Sequence, residues 1–241
     1  MDRLFLSASS QFAPGAAIRG GVPVCFPQFA DQGPLPMHGF ARVTSWDLVE
    51  SGRDSNGAAH VRLRLGDTKV TRALWPHAFV LELAVRVDGP TLALALAVTN
   101  SGTASFAFTT ALHTYLRIAD ARETLVRGLQ GSRYRDKVLQ KDVVVETAAE
   151  LAIDREIDRV YRGSPEMLEV REPRRATIVH AAGFVDTVLW NPGAQKGATL
   201  QDLQPGGYSH MLCVEAAVAS EAITLQPAQT WQGSQTLTAR A

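Results

Sequence analysis

F-V-L-E-L-A-V-R-V-D-G-P-T-L-A-L-A-L-A-V, running from Phe79 to Val98, decides the fold class. Apolar side chains recur at every second position from Phe79 to Val87, the period of a strand with one buried face. Asp88-Gly89 is a two-residue hairpin signal, and Pro90 withholds a donor from the start of the return strand. Thr91 to Val98 then carries leucine on one face and alanine on the other. Trp75-Pro76-His77 breaks the chain before this hairpin, and Asn100-Ser101-Gly102 turns it afterwards. Upstream, His60 to Leu65 alternates polar and apolar residues, and Ser51 to Gly57 reads as the turn joining it to Trp46–Glu50.

The same reading continues downstream. Strands are expected at Phe106–Ile118, Val143–Glu146, Val160-Tyr161, Met167–Val170, Thr177–His180, Phe184–Trp190, Tyr208–Ala219, Ala222–Leu225 and Gln235–Ala239, with a short one at Leu4–Leu6. Turns fall at Asn191-Pro192-Gly193 and Pro205–Tyr208. Only Ala194–Leu203 and Val138–Asp142 lean toward helix. Many short strands at roughly 8–12-residue intervals imply an all-β, antiparallel sandwich. No linker, repeat or low-complexity segment interrupts the pattern, so residues 1–241 are expected to form one domain.

With 241 residues and 46% hydrophobic content, the chain can bury a substantial core. Its formal net charge of zero excludes a whole-protein field for nucleic acid or an anionic membrane, so any anion site must be local. Cys25 and Cys213 lie far apart in apolar runs, without the spacing of a zinc or redox motif, and fit a reduced cytoplasmic setting. The first ten residues lack the pattern of a signal peptide, and Leu92–Val98 is too short to span a bilayer.

Polar groups suited to chemistry concentrate in a few places. Ile18 to Trp46 is punctuated by proline and glycine, which rules out a long helix and leaves turns that present Arg19, Gln28, His38 and Arg42. The arginines suit either carboxylate pairing or bidentate binding of a phosphate. Glu215 is the single charge in Met211–Ala219 and shares a strand face with Met211 and Cys213. Burial there would raise its pKa, which suits a general base, whereas an edge position would turn it to solvent. Alternation places His113, Tyr115 and Arg117 on one face of a strand, as a polar lining. Asp158 lies in a charge run, and Arg133-Tyr134-Arg135-Asp136-Lys137 is another; both read as solvated segments. No P-loop, dinucleotide fingerprint, nucleophile elbow or metal-spaced histidine pair occurs.

Seven ordered segments carry a resemblance: R-G-G-V-P-V-C-F-P-Q-F from Arg19, L-P-M-H-G-F-A-R from Leu35, W-P-H-A-F from Trp75, A-L-H-T-Y-L-R from Ala111, D-R-V-Y from Asp158, V-L-W-N-P-G from Val188 and M-L-C-V-E-A-A from Met211. Together they resemble the glucose-6-phosphate 1-epimerases, or hexose-6-phosphate mutarotases, a branch of the aldose 1-epimerase family. The resemblance implies a galactose-mutarotase-like β-supersandwich and an isomerase that interconverts the anomers of glucose 6-phosphate. Glu215 is then the implied base and His113 the acid. Asp158 would hold sugar hydroxyls, Arg19 and Arg42 the phosphate, and Gln28 and His38 would be further substrate contacts. A monomer acting on a small hexose 6-phosphate is implied, with no cofactor, metal, nucleic acid or membrane partner.

Two departures are visible. Met37 stands where relatives usually carry a small or polar residue. Relatives also have some tens of residues ahead of the segment resembling Leu4–Ser7, so the sandwich is expected to lack the family's first strands and to expose an apolar edge. Two other readings remain at the level of sequence: an epimerase of unphosphorylated aldoses, and a sugar-phosphate-binding module without catalysis.

Overall fold

The computed structural model describes residues 2–163 and 165–241. Among them the strands, in chain order, are β1 (Val24–Cys25), β2 (Asp47–Arg53), β3 (Ala59–Gly66), β4 (Phe79–Asp88), β5 (Thr91–Asn100), β6 (Phe106–Leu112), β7 (Tyr115–Arg117), β8 (Leu125–Arg127) and β9 (Arg133–Asp136). There follow β10 (Lys141–Val145), β11 (Glu150–Ala152), β12 (Ile157–Arg162), β13 (Met167–Glu172), β14 (Arg175–Ala182), β15 (Asp186–Asn191), β16 (Met211–Leu225) and β17 (Thr230–Arg240). They form two antiparallel sheets. One has eight strands in the order β1-β6-β16-β15-β12-β9-β10, with β7 also on β16, and the other nine in the order β11-β8-β13-β14-β17-β5-β4-β3-β2.

The β4–β5 hairpin forms as its pattern requires, but one residue later than its turn signal. Asp88 pairs with Thr91, so Gly89 and Pro90 are the loop residues. Gly89 supplies φ 53°, a left-handed conformation that glycine adopts without a Cβ penalty. Leu81, Leu83, Leu94, Leu96 and Val98 are buried and meet Phe106, Phe108 and Leu112 of the other sheet in one cluster. A second cluster joins Leu116, Tyr161, Leu189 and Leu212 to Val126, Leu168, Val179 and Leu237. The apolar faces of the two sheets therefore cover each other, each such side chain contributing about 1.5–3 kcal/mol. Thr114 and Gln235 hydrogen-bond across this interior.

Several expectations need correction. Phe106–Ile118 is not one strand: β6 stops at Leu112, and His113 and Thr114 intervene before β7. The two strands expected at Tyr208–Ala219 and Ala222–Leu225 are a single β16, whose register shifts between Val218 and Ile223. Val138–Asp142 is a turn running into β10, because strand pairing with β9 overrides its weak helical tendency. Helix α2 is limited to Gly193–Gly197, and turns occupy the rest of the expected helical segment. A further helix, α1 (Lys69–Leu74), is started by a Thr68–Thr71 capping box that the alternation pattern did not reveal. Leu4 and Leu6 make only isolated bridges, to Leu116 and Gly20. All of β2, including Leu48 and Val49, is exposed at the edge of the nine-stranded sheet. No helix among the described residues is long and apolar enough to cross a membrane.

Candidate active site

Register in the eight-stranded sheet lines up alternate residues in rows across its outer face. Glu215 pairs with Val188, Val188 with Val160, and Val160 with Arg135. The adjacent row runs Tyr115, Cys213, Trp190 and Asp158. Lys137 extends it, since its N–H donates to the Asp158 carbonyl at 2.9 Å beyond the end of β9. Leu112 pairs with Ala216 and Tyr115 with Cys213, which sets His113 opposite Glu215. Period two thus delivers residues from five strands to one surface.

Two covering segments turn that surface into a cavity. Cys25, Phe29 and Ala30 pack on Ala111, Val160, Val188 and Ala217. Phe5, Leu203 and Met211 pack around Tyr115 and Cys213. Between these patches lies a cavity of about 370 Å³ whose lining includes Arg19, Met37, His38, Arg42, His113, Tyr115, Lys137, Asp158, Trp190, Lys196 and Glu215. Six of the seven residues singled out in the sequence therefore meet at one place. Gln28 does not: its amide donates to the Ala30 and Leu35 carbonyls and accepts from Leu35 N–H, so it braces the loop instead of facing the cavity. Arg117 also lies outside the lining, despite sharing an expected face with His113.

His113 Nε2 lies 3.5 Å from Glu215 Oε1, with both side chains buried. Burial pushes the Glu215 carboxyl well up, and the nearby Asp158 charge adds to the rise. Burial pushes His113 well down, helped by His38, Arg42 and Arg19. The His113 ring stacks on Tyr115 at 4.7 Å and meets Trp190 edge-on. Three buried polar atoms on lining residues, Arg42 Nε, His113 Nδ1 and Glu215 Oε2, have no protein hydrogen-bond partner among the described residues. Buried donors and acceptors left unpaired are costly, and clustered in one cavity they mark a place built to meet a polar ligand.

The cations differ in freedom. Arg19 donates through Nε to Asp202 at 3.0 Å and through Nη1 to the Tyr115 hydroxyl at 3.3 Å, and its guanidinium lies over Trp190. Arg42 makes one donation, from Nη2 to the Met37 carbonyl at 3.0 Å. Lys137 Nζ is 3.9 Å from Asp158 and over the Phe29 ring. Burial raises the Asp158 pKa. Lys137 belongs to a run read as solvated, and Asp158 to another. The missing signal was tertiary: only the β9–β12 register makes them neighbours.

His38 is fixed by its backbone. Ala30 N–H donates to its Nδ1 at 3.3 Å, which places the ring proton of the neutral form on Nε2. Burial lowers its pKa to about 3, with Arg42, Lys137 and Arg19 adding to the drop. It is therefore neutral near pH 7, a hydrogen-bonding group and not a charge. Its φ of 66° is left-handed, and Gly39 beside it has φ 67°. A Cβ at Gly39 would stand 2.2 Å from the Phe26 carbonyl oxygen. Gly39→Ala is expected to destabilise the protein by about 1–3 kcal/mol, measured by urea unfolding, and to lower activity with it.

His113, Cys213 and Glu215 also place ligand-type atoms within 4.8 Å of one another, a grouping invisible in sequence spacing. Arg19, Arg42 and Lys137 line the same cavity and oppose a cation there.

The aldose 1-epimerase family profile matches residues 2–238. The chain belongs to the aldose 1-epimerase family. It is 36% identical over 248 residues to a candidate glucose-6-phosphate 1-epimerase of Cenchrus ciliaris, covering 99% of this chain and 75% of that one. A protein of the same description in Escherichia coli K12 is 38% identical over 225 residues, covering 90% of this chain and 73% of the other. The crystal structure of a candidate mutarotase from Salmonella typhimurium superposes with a TM-score of 0.91 at 31% identity, covering 99% of this chain and 80% of that chain. The fold is accordingly the galactose-mutarotase-like β-supersandwich, and family membership supports an epimerase activity on carbohydrate.

Proposed function

We propose that the protein interconverts the α and β anomers of glucose 6-phosphate. The observation that carries this reading is the buried His113–Glu215 pair, 3.5 Å apart, in a cavity also lined by Arg19 and Arg42. O1 and O5 of a pyranose are both bonded to C1, so two adjacent groups can address both oxygens. Glu215 takes the O1 proton as the O1–C1 bond becomes a carbonyl. The C1–O5 bond breaks, its electron pair goes to O5, and His113 supplies the O5 proton. Rotation about C1–C2 presents the other carbonyl face, and reversal of both transfers closes the opposite anomer. The pair ends as it began, and the reaction uses no net proton.

This chemistry requires the pair to hold one proton, with Glu215 ionised and His113 protonated. In the free protein burial opposes both charges, so the proton resides on Glu215. A substrate phosphate would offset Arg42 and Arg19, two of the charges that hold His113 down, and so favour transfer of the proton to His113. Phosphate is thereby both handle and trigger. Arg42, with its unpartnered Nε, is the freer clamp; Arg19, bound to Asp202, is the prepositioned one. Asp158 and Lys137 serve the sugar hydroxyls. In this reading residues 1–241 act as one cytoplasmic domain, as a monomer and without a cofactor.

The pH dependence follows with a definite sign. On the acid side His113, lowered in pKa, gains a second proton for the pair; on the alkaline side Glu215, raised in pKa, loses the last one. The profile of kcat/KM is expected to be a broad plateau with a limb on each side. Asp158 raises the Glu215 pKa, so Asp158→Asn should move the alkaline limb to lower pH. Substrate choice tests the function itself. Anomerisation of glucose 6-phosphate should exceed that of glucose by at least about 10²-fold in kcat/KM, the scale of one to two charge-assisted contacts. Equal turnover would instead favour an epimerase of unphosphorylated aldoses.

A further inference from the structure

The same outer face carries a second cluster of cations away from the catalytic cavity. Its third row runs Ala217, Asp186, Arg162 and Arg133, each paired across strands with the next. Arg133 and Arg162 are therefore directly opposed, exposed, and on the same side of the sheet as Glu215. They border a cleft of about 740 Å³ that also includes Gln130, Ser132, Tyr134 and one carboxylate, Asp142, which is paired with Arg135. Among the described residues neither guanidinium has a hydrogen-bond or ion-pair partner. Opposed like charges on neighbouring strands are unfavourable. Elsewhere on the sheets the pattern is the reverse: Arg62 meets Glu50, Arg127 meets Glu150 and Glu169, and Arg86 meets Asp54 and Asp88. In a chain whose net charge is zero, this pair is a local excess.

We propose that the Arg133–Arg162 cleft is a binding site for an oligophosphate chain, separate from the sugar-phosphate cavity. Two opposed guanidinium forks match the oxygens of adjacent phosphate groups, and bidentate contacts to them are geometrically favourable. Arg135 lies two residues along β9, about 7 Å away, where its pairing with Asp142 can exchange for a further phosphate. Gln130 and Ser132 add neutral donors at the rim. Lys137, at the catalytic cavity, is about 13 Å along the strand from Arg133, too far for one hexose phosphate to occupy both places.

Calorimetric titration of the protein with tripolyphosphate at about 0.1 M salt, with the catalytic cavity saturated by glucose 6-phosphate, tests this. The expected result is saturable binding that weakens by at least about tenfold in R133A/R162A, while anomer interconversion and melting temperature stay unchanged. ATP in a parallel arm separates sources: tighter binding than tripolyphosphate assigns a nucleotide, and equal binding assigns the phosphate chain alone. Absence of saturable binding, equal affinity in R133A/R162A, or loss of binding when glucose 6-phosphate is present would each overturn the site. The comparison of tripolyphosphate binding between the native protein and R133A/R162A reads this cleft whether or not glucose 6-phosphate is the substrate turned over.

Discussion

Glu215→Gln is expected to lower the rate of the proposed glucose 6-phosphate anomerisation by about 10³-fold without lowering stability. The magnitude is that of a positioned acid–base group, which typically contributes ~10²–10⁴-fold. Glutamine keeps the shape and a hydrogen-bonding carbonyl but cannot accept the O1 proton. It also removes the group whose last proton sets the alkaline limb, so that limb of the pH profile loses its origin. The stability half of the expectation follows from Glu215 Oε2, buried without a partner. Burial already keeps Glu215 protonated in the free protein, so a neutral amide of the same shape replaces a neutral acid and the melting temperature should hold. Binding of glucose 6-phosphate, followed by calorimetry, should persist. A variant that loses activity because it unfolds would argue against this account, and so would one that keeps full activity.

Arg42→Ala is the second large effect, and it concerns the phosphate. It should lower kcat/KM for glucose 6-phosphate by about 10²-fold, since charge-assisted contacts contribute roughly 1.5–3 kcal/mol each. Glucose itself should lose little. Arg42 is a cleaner probe than Arg19, whose removal would strand Asp202 and loosen Tyr115 and Trp190. Electrostatics adds a second signature. Arg42 lowers the pKa of both His113 and Glu215, so its loss should move both limbs of the pH profile to higher pH. A purely structural role for Arg42 would affect both sugars alike and leave the limbs in place. Steady-state rates for the two sugars across pH distinguish these results.

Much of the fold was legible because alternation is a local property. Phe79 to Val98 announces two strands by period and one turn by composition, and the error was a single residue in the loop. Helix α1 escaped because it lasts only from Lys69 to Leu74 and rests on a cap, not a periodic face. The break at His113 escaped for another reason. Nothing in A-L-H-T-Y-L-R disrupts a strand; the chain departs where His113 N–H is taken by the Pro23 carbonyl from a distant loop.

The site divided along the same line. Glu215 stood out as one charge in an apolar run, and Arg19, His38 and Arg42 as polar groups in a turn-rich stretch. Gln28 belonged to the same stretch and the same motif, yet its amide closes the loop on itself. Lys137 and Asp158 lay in charge runs whose composition says solvent, and only strand pairing between β9 and β12 turns them inward. Residue type signalled which groups could do chemistry; register decided which of them meet.

Exchange NMR on glucose 6-phosphate at anomeric equilibrium tests the central claim most directly, because it reads interconversion at C1 with no net reaction. The protein should produce cross-peaks between the α and β anomeric protons that grow with its concentration and vanish in Glu215→Gln. Exchange no faster than in buffer with the wild-type protein present, or exchange undiminished by the substitution, would contradict the mechanism.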